Sequence, residues 1–144
     1  MTLPVPSAAG APRLRVLVVD DEPLLLQIVV IVLGRFLAAD CDTAACSAEA
    51  IARLKSGSYH ALLTDVMMPG GSGTDLVHQA RRLQPDLACG LMTGYAVDKD
   101  RDTLPEGVFL VTKPFRMEEL AAKIRSAVEC QQNAKAGSTS TPGA

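Results

Sequence analysis

Short apolar runs alternate with longer amphipathic segments along this chain. The first run, residues 14–19 (LRVLVV), is rich in branched side chains and ends in two aspartates. A run of this kind is typical of a buried strand. The same pattern predicts strands at 14–19, 42–45, 62–64, 88–92 and 108–111, separated by helices at 23–37, 47–55, 74–83, 96–104 and 117–131.

Several helix ends are marked by residues that start or stop helices. Pro23 suits the first helical turn, where its missing N–H costs nothing. Ser47 is a predicted N-cap, and Pro85 ends the third helix. Pro105 and Gly107 leave room for only a short helix at 96–104.

Strands that alternate with helices predict parallel βαβ crossovers. The expected fold is therefore α/β, a doubly wound five-stranded parallel sheet with helices on both faces. The carboxyl ends of such strands meet at one edge, where ligand sites form. Polar residues follow four of the strands at that edge: Asp20 and Asp21, Asp65, Thr93, and Lys113.

These edge residues predict phosphoryl chemistry that depends on a metal. The carboxylates of Asp20, Asp21 and Asp65 would repel one another, so we expect a bound cation. Mg²⁺ fits because it takes oxygen ligands and needs only one or two carboxylates. A phosphoryl group on Asp65 would add negative charge, which the Lys113 ammonium and the Thr93 hydroxyl could hydrogen-bond.

Composition narrows the class of protein. The chain has 144 residues, enough for one ordinary domain, and a formal charge of -2 without a basic patch, which argues against nucleic-acid binding. Its most apolar segment, 24–33, is shorter than the roughly 20 residues of a membrane span. Four cysteines without a C-x-x-C pair indicate reduced thiols, and the N-terminus lacks the features of a secretory signal, so we expect a cytoplasmic protein.

Four motifs at the strand ends resemble those of the receiver domain of two-component response regulators. They are VVDDEP, LLTDVMMPGGSG, MTGYA and VTKPF, in the family's order and spacing, and the resemblance covers residues 14–131. It implies a flavodoxin-like sheet with strand order 2-1-3-4-5. Outside this receiver domain, we expect residues 1–13 to form a flexible arm and residues 132–144 a disordered tail.

The resemblance implies a role for each edge residue. Asp65 is the expected phosphoacceptor, which takes its phosphoryl group from a sensor histidine kinase or a histidine phosphotransfer protein. Asp21, Asp65 and the Met67 backbone carbonyl are the expected direct Mg²⁺ ligands, and Asp20 is expected to bind through water. Thr93 is the expected switch hydroxyl, and Lys113 the expected phosphoryl-binding lysine.

The chain departs from the family's pattern in places that affect signalling. Leu110 stands three residues before Lys113, where receivers that use a Thr–aromatic swing carry a ring, and Phe109 should face the opposite side of the strand. Only 20 positions separate Thr93 from Lys113, which leaves little room for the fourth helix. Helix 24–37 has more apolar side chains than one sheet can bury, and we expect the surplus to dock on the kinase or phosphotransfer protein.

The same residues have other interpretations. Taken singly, Asp21 fits a helix N-terminus, Asp65 a turn and Lys113 a solvated charge. A phosphatase of the haloacid dehalogenase type would need an aspartate where Met67 stands. An interaction module with this fold that is never phosphorylated is a further alternative.

The function we expect is that of a single-domain response regulator rather than an enzyme. Asp65 would be phosphorylated in a Mg²⁺-dependent reaction, and the chain would catalyse only its own phosphorylation and dephosphorylation. Residues 132–144 are too few and too polar for an output domain. Output is therefore expected through phosphorylation-dependent binding to an unknown protein target, or through a phosphorelay.

Overall fold

The structure, a computed structural model, describes residues 14–68, 71–94, 107–113 and 115–140. The predicted arm at 1–13 and the predicted helix at 96–104 lie outside these residues. Within them, no helix has the length and apolar character needed to cross a membrane. The elements are β1 (Arg15–Val19), α1 (Pro23–Leu37), β2 (Asp40–Ala44), α2 (Ser47–Ser56), β3 (Ala61–Asp65), β4 (Met67–Met68), β5 (Gly71–Ser72), α3 (Gly73–Leu83), β6 (Ala88–Thr93), β7 (Phe109–Thr112) and α4 (Met117–Ser140).

Five of the strands form one parallel sheet in the order β2-β1-β3-β6-β7. The other two, β4 and β5, pair only with each other, as an antiparallel hairpin. Counted along the chain, the strands of the parallel sheet therefore run 2-1-3-4-5, which confirms the predicted order. All five carboxyl ends consequently lie at one edge.

Successive side chains of β1, an inner strand of the sheet, point alternately into two cores on opposite faces. Val16 and Val18 join a core with side chains of α1 and α4. Leu17 and Val19 join a second core with side chains of α2 and α3. Helices therefore cover both faces of the sheet, as predicted, because each face of a buried parallel strand is apolar.

Helix α1 buries one side and exposes another. Val29 and Leu33 are fully buried, whereas Leu24, Ile28 and Ile31 are 72%, 47% and 61% exposed. The exposed three are spaced i, i+4 and i+7, so they lie along one side of the helix. The predicted surplus of apolar side chains on this helix is confirmed.

Two predicted boundaries differ from the structure by two residues or more. Strand β2 begins at Asp40 rather than at residue 42, because the Asp40 N–H already donates to the Leu14 carbonyl at 2.7 Å. Helix α4 continues to Ser140 rather than ending near residue 131, so residues 132–140 of the predicted disordered tail are helical. The stretch 132–136 (QNAKA) is rich in alanine, glutamine and lysine, whose high helix propensity favours this extension.

The amino-terminal edge of the sheet is held by polar side chains. His60 Nδ1 accepts a hydrogen bond from the Arg15 N–H at 2.9 Å, and the His60 N–H donates to the Arg15 carbonyl at 2.8 Å. Asp42 accepts from the Tyr59 hydroxyl at 2.6 Å and from the Arg15 guanidinium at 3.1 Å. The Gln84 amide donates to two main-chain carbonyls at the end of α2. These bonds stabilise the end of the sheet that lies opposite to Asp20, Asp21 and Asp65.

Phe109 and Leu110 face opposite sides of β7, as predicted. Phe109 packs on the core next to α1 and α4, and Leu110 packs on the core next to α2 and α3. The parallel register places Phe109 beside Gly90 of β6, and its ring occupies the space where a Gly90 Cβ would stand. Phe109 therefore cannot replace a ring at position 110.

The ring over Gly90 gives a prediction for stability. We expect Gly90→Ala to lower the free energy of unfolding by about 1–3 kcal/mol, because its methyl group overlaps the ring in a packed core. The control is Gly34→Ala on the exposed side of α1, where a Cβ meets no atom within 4 Å. It should raise that free energy by about 0.5–1 kcal/mol. Urea denaturation followed by circular dichroism measures both, and an unchanged Gly90→Ala protein would contradict the predicted overlap.

Candidate functional site

Parallel pairing brings the predicted site residues to one edge of the sheet. Asp20 directly follows β1, and Asp65 is the last residue of β3, the neighbouring strand. Thr93 ends β6, and Lys113 directly follows β7. The Lys113 N–H donates to the Thr93 carbonyl at 2.6 Å, which continues the pairing of β6 and β7 by one more bond.

Asp20 is the most enclosed residue of the site, with a side chain that is 0% exposed. Its Oδ1 accepts the Glu22 N–H at 2.9 Å, and its own N–H donates to the Ala44 carbonyl at 3.1 Å. Burial raises the pKa of Asp20 above the usual aspartate value, and the Glu22 hydrogen bond and the Lys113 charge offset only part of that rise. The Asp20 side chain is therefore held in one orientation at the buried side of the site.

Lys113 joins Asp20 to Asp65. Its Nζ lies 3.3 Å from Asp20 Oδ2 and 3.4 Å from Asp65 Oδ1. Burial acts to lower the pKa of Lys113, but the charges of Asp20 and Asp65 outweigh burial, and the net shift is upward. The side chain therefore stays an ammonium that ties β7 to β1 and β3.

Asp65 and Asp21 are the accessible carboxylates. The Asp65 side chain is 16% exposed, and Asp21 lies on the surface. Beyond Asp65, the Val66 N–H donates to the Met92 carbonyl at 3.0 Å, which keeps this part of the chain on the sheet. Asp65 is thus held in position from behind while its carboxylate can still be reached from solvent.

One oxygen from each carboxylate of Asp20, Asp21 and Asp65 lies within 4.8 Å of the others. Three carboxylates and one ammonium leave a formal charge of -2 at this edge. Oxygen donors at this spacing, with uncompensated negative charge, suit a hard divalent cation such as Mg²⁺. The residues present therefore fit the predicted metal.

Thr93 and Met67 are the remaining predicted residues of the site. Thr93 is 4% exposed at the end of β6. The Met67 backbone lies in β4, two residues after Asp65. The hydroxyl role of Thr93 and the carbonyl role of Met67 stay predictions.

The Glu22 main chain, whose N–H donates to Asp20 Oδ1, was not among the predicted site residues. A signal for it was present, because aspartate side chains often accept the N–H two residues further along, at turns and helix starts. Asp20 followed by Glu22 and Pro23 fits that pattern. The hydrogen bond therefore belongs to the start of α1 as much as to the site.

Comparison with known proteins agrees with this geometry. Residues 16–125 match the family model described as the response regulator receiver domain. The probable transcriptional regulatory protein TcrX of Mycobacterium tuberculosis is 36% identical over 121 residues, which are 83% of this chain and 51% of TcrX. The chain thus spans about half the length of that relative.

Solved structures show the same fold. A CheY-like response regulator receiver domain protein from Methanospirillum hungatei has a TM-score of 0.77 at 24% identity, over 85% of this chain and 99% of that one. A two-component transcriptional regulator AraC from Clostridium phytofermentans has a TM-score of 0.77 at 28% identity, over 85% of this chain and 98% of that one. The chain therefore belongs to the response regulator receiver domain family of two-component signalling.

Proposed function

We propose that this receiver domain accepts a phosphoryl group on Asp65 in a Mg²⁺-dependent reaction. The observation that carries the proposal is the contrast between two carboxylates that share Lys113. Asp20 is wholly buried, whereas Asp65 is partly exposed. Of these two, only Asp65 can be reached by a phosphoryl donor.

The reaction we propose is an in-line displacement. A carboxylate oxygen of Asp65 attacks the phosphorus of a phosphohistidine, the phosphorus–nitrogen bond breaks, and the imidazole leaves. Lys113 lies 3.4 Å from Asp65 Oδ1, so its ammonium can pair with an oxygen of the new acyl phosphate. The Thr93 hydroxyl is proposed to hydrogen-bond another oxygen.

Asp21, Asp65 and the Met67 carbonyl are the proposed direct ligands of Mg²⁺, with Asp20 acting through water. The bound ion would offset the negative charge of the transferring phosphoryl group. The Glu22 N–H and Lys113 each contact one oxygen of Asp20, which orients that carboxylate. A side chain oriented in this way suits a supporting role better than direct attack.

The proposed donor is a sensor histidine kinase or a histidine phosphotransfer protein that docks on α1. The exposed side chains Leu24, Ile28 and Ile31 form an uncharged apolar stripe. Beside it, α1 and Thr43 of β2 line a groove of about 540 Å³. An apolar stripe of this kind suits the apolar side of a partner helix.

Output is proposed to pass to another protein, by phosphorylation-dependent binding or by a phosphorelay. Leu110 supplies no ring for a Thr–aromatic swing, so the signal would have to leave the site by another route. The four free thiols support the cytoplasmic location that we propose.

The phosphoacceptor can be tested with a small-molecule phosphodonor. In the presence of Mg²⁺, the intact wild-type protein should gain the mass of one phosphoryl group, and Asp65→Asn should gain none, because it lacks the attacking oxygen. Asp75→Asn, an exposed carboxylate in the first turn of α3, is the matched control and should react normally. A wild-type protein that never reacts, and that beryllium fluoride with Mg²⁺ does not alter, would favour an unphosphorylated interaction module.

The metal can be tested without phosphoryl transfer. Mg²⁺ at about 100 times its Kd should raise the free energy of unfolding of the wild type by about 2.7 kcal/mol. Loss of a residue that only supports a metal ligand costs about 10–100-fold in affinity, so Asp21→Asn should weaken binding at least tenfold. Urea denaturation with and without Mg²⁺ measures the effect. Equal stabilisation of wild type and Asp21→Asn would argue against Asp21 as a ligand.

The docking face can be separated from the chemistry by changing the donor. Leu24→Ser combined with Ile31→Ser should slow phosphotransfer from the cognate kinase at least tenfold, a loss of about 1.4 kcal/mol of binding. Reaction with a small phosphodonor should stay unchanged, since both side chains are largely exposed and neither belongs to the proposed site. Unaltered transfer from the kinase would show that the partner docks elsewhere.

A further inference from the structure

The start of α3 lies directly against the main chain of Asp65. Gly73, the first residue of α3, is buried. A Cβ on Gly73 would overlap the Asp65 carbonyl oxygen and would lie 2.9 Å from the Asp65 carbonyl carbon and 3.0 Å from Val66 Cα. Non-bonded carbon atoms normally approach to about 3.5–4.0 Å. Any larger residue at position 73 must therefore displace main chain.

The same part of the main chain is held by hydrogen bonds on several sides. The Gly73 N–H donates to the Val66 carbonyl at 2.6 Å, and the Val66 N–H donates to the Met92 carbonyl at 3.0 Å. The Thr64 hydroxyl donates to the Asp65 carbonyl at 3.0 Å. The peptide after Asp65 is therefore fixed between β6 and α3.

We propose that Gly73 is a positioning residue for Asp65. Its lack of a side chain lets α3 approach the Asp65 carbonyl, and that approach fixes where the Asp65 carboxylate stands. This role rests on the proposed function, because it matters only if Asp65 binds metal and accepts a phosphoryl group.

The distances in the site explain why a small displacement matters. Asp65 Oδ1 lies 3.4 Å from Lys113 Nζ, and one carboxylate oxygen from each of the three aspartates lies within 4.8 Å of the others. A misplacement of about 1 Å in a reacting group can cost on the order of 100-fold in rate. A methyl group at position 73 would push on the residue that carries this carboxylate.

The hydrogen bond from Gly73 to Val66 also closes the loop that contains Met67. Within that loop, Met67 pairs with Ser72 across the β4–β5 hairpin. A displaced Gly73 would therefore move the Met67 backbone together with Asp65. Two of the proposed Mg²⁺ ligands depend on the same close approach.

The test is Gly73→Ala, examined for Mg²⁺ affinity by calorimetry and for reaction with a small phosphodonor at saturating Mg²⁺. We expect Mg²⁺ affinity to fall at least tenfold, and the reaction rate to stay low even when the metal site is saturated. Gly94→Ala is the matched control for Mg²⁺ affinity. Gly94 follows Thr93 at the same edge, but its Cβ would meet no atom within 4 Å, so affinity should be unchanged.

A second variant separates positioning from simple loss of stability. Ser72 Oγ accepts the Asp75 N–H at 3.1 Å, so Ser72→Ala weakens the start of α3 without adding an atom beside Asp65. Normal Mg²⁺ affinity in Ser72→Ala, with reduced affinity in Gly73→Ala, would support the proposal. Parallel losses of affinity and stability in both variants would overturn it, as would wild-type behaviour of Gly73→Ala.

If Gly73→Ala does not fold, Thr64→Val is the second test. It removes the hydrogen bond from the Thr64 hydroxyl to the Asp65 carbonyl, the same carbonyl that Gly73 approaches. Reduced Mg²⁺ affinity in that variant would support the need to hold the Asp65 carbonyl, and unchanged affinity would overturn it. The wild-type protein distinguishes failure of the proposed function from failure of the role of Gly73. If it neither binds Mg²⁺ nor reacts, the proposed function fails. If the wild type binds Mg²⁺ and reacts but the variants do not show the expected affinities, only the role of Gly73 is overturned.

Discussion

The arrangement of the site depends on one ammonium group placed between two carboxylates. Lys113 comes from the far end of the chain and reaches Asp20, which lies 93 positions earlier. Without that charge, Asp20 would be a buried anion next to a second one, which is costly in a protein interior. The parallel sheet makes the contacts of Lys113 with Asp20 and Asp65 possible, because it places the carboxyl ends of β1, β3 and β7 at one edge.

The hydrophobic pattern was enough to predict that these side chains lie at the same edge of the sheet. Apolar runs ending in Asp20, Asp65, Thr93 and Lys113 give the strands, and the parallel geometry of βαβ units then places their ends together. The pattern could not show that Asp20 is buried and Asp65 accessible, since the two look alike in sequence. Their difference arises from neighbours that are distant in the chain.

The errors in the prediction have two different physical causes, pairing with distant parts of the chain and local helix propensity. Strand β2 is short of branched apolar residues, so its start at Asp40 is set by pairing with β1 rather than by its own sequence. His60 gave no signal either, because its role depends on the Arg15 main chain across the sheet. The predicted end of α4 is too early because polar composition alone does not distinguish coil from helix, and alanine, glutamine and lysine favour helix.

The packing of Phe109 over Gly90 has a consequence for how this sequence can change during evolution. A smaller residue at 109 would leave a hole above the glycine, and a larger one at 90 would meet the ring. Neither position can drift alone without loss of stability, although each would look ordinary in isolation. The two positions should therefore be inherited as a pair, and descendants that lose the ring should gain a side chain on the neighbouring strand.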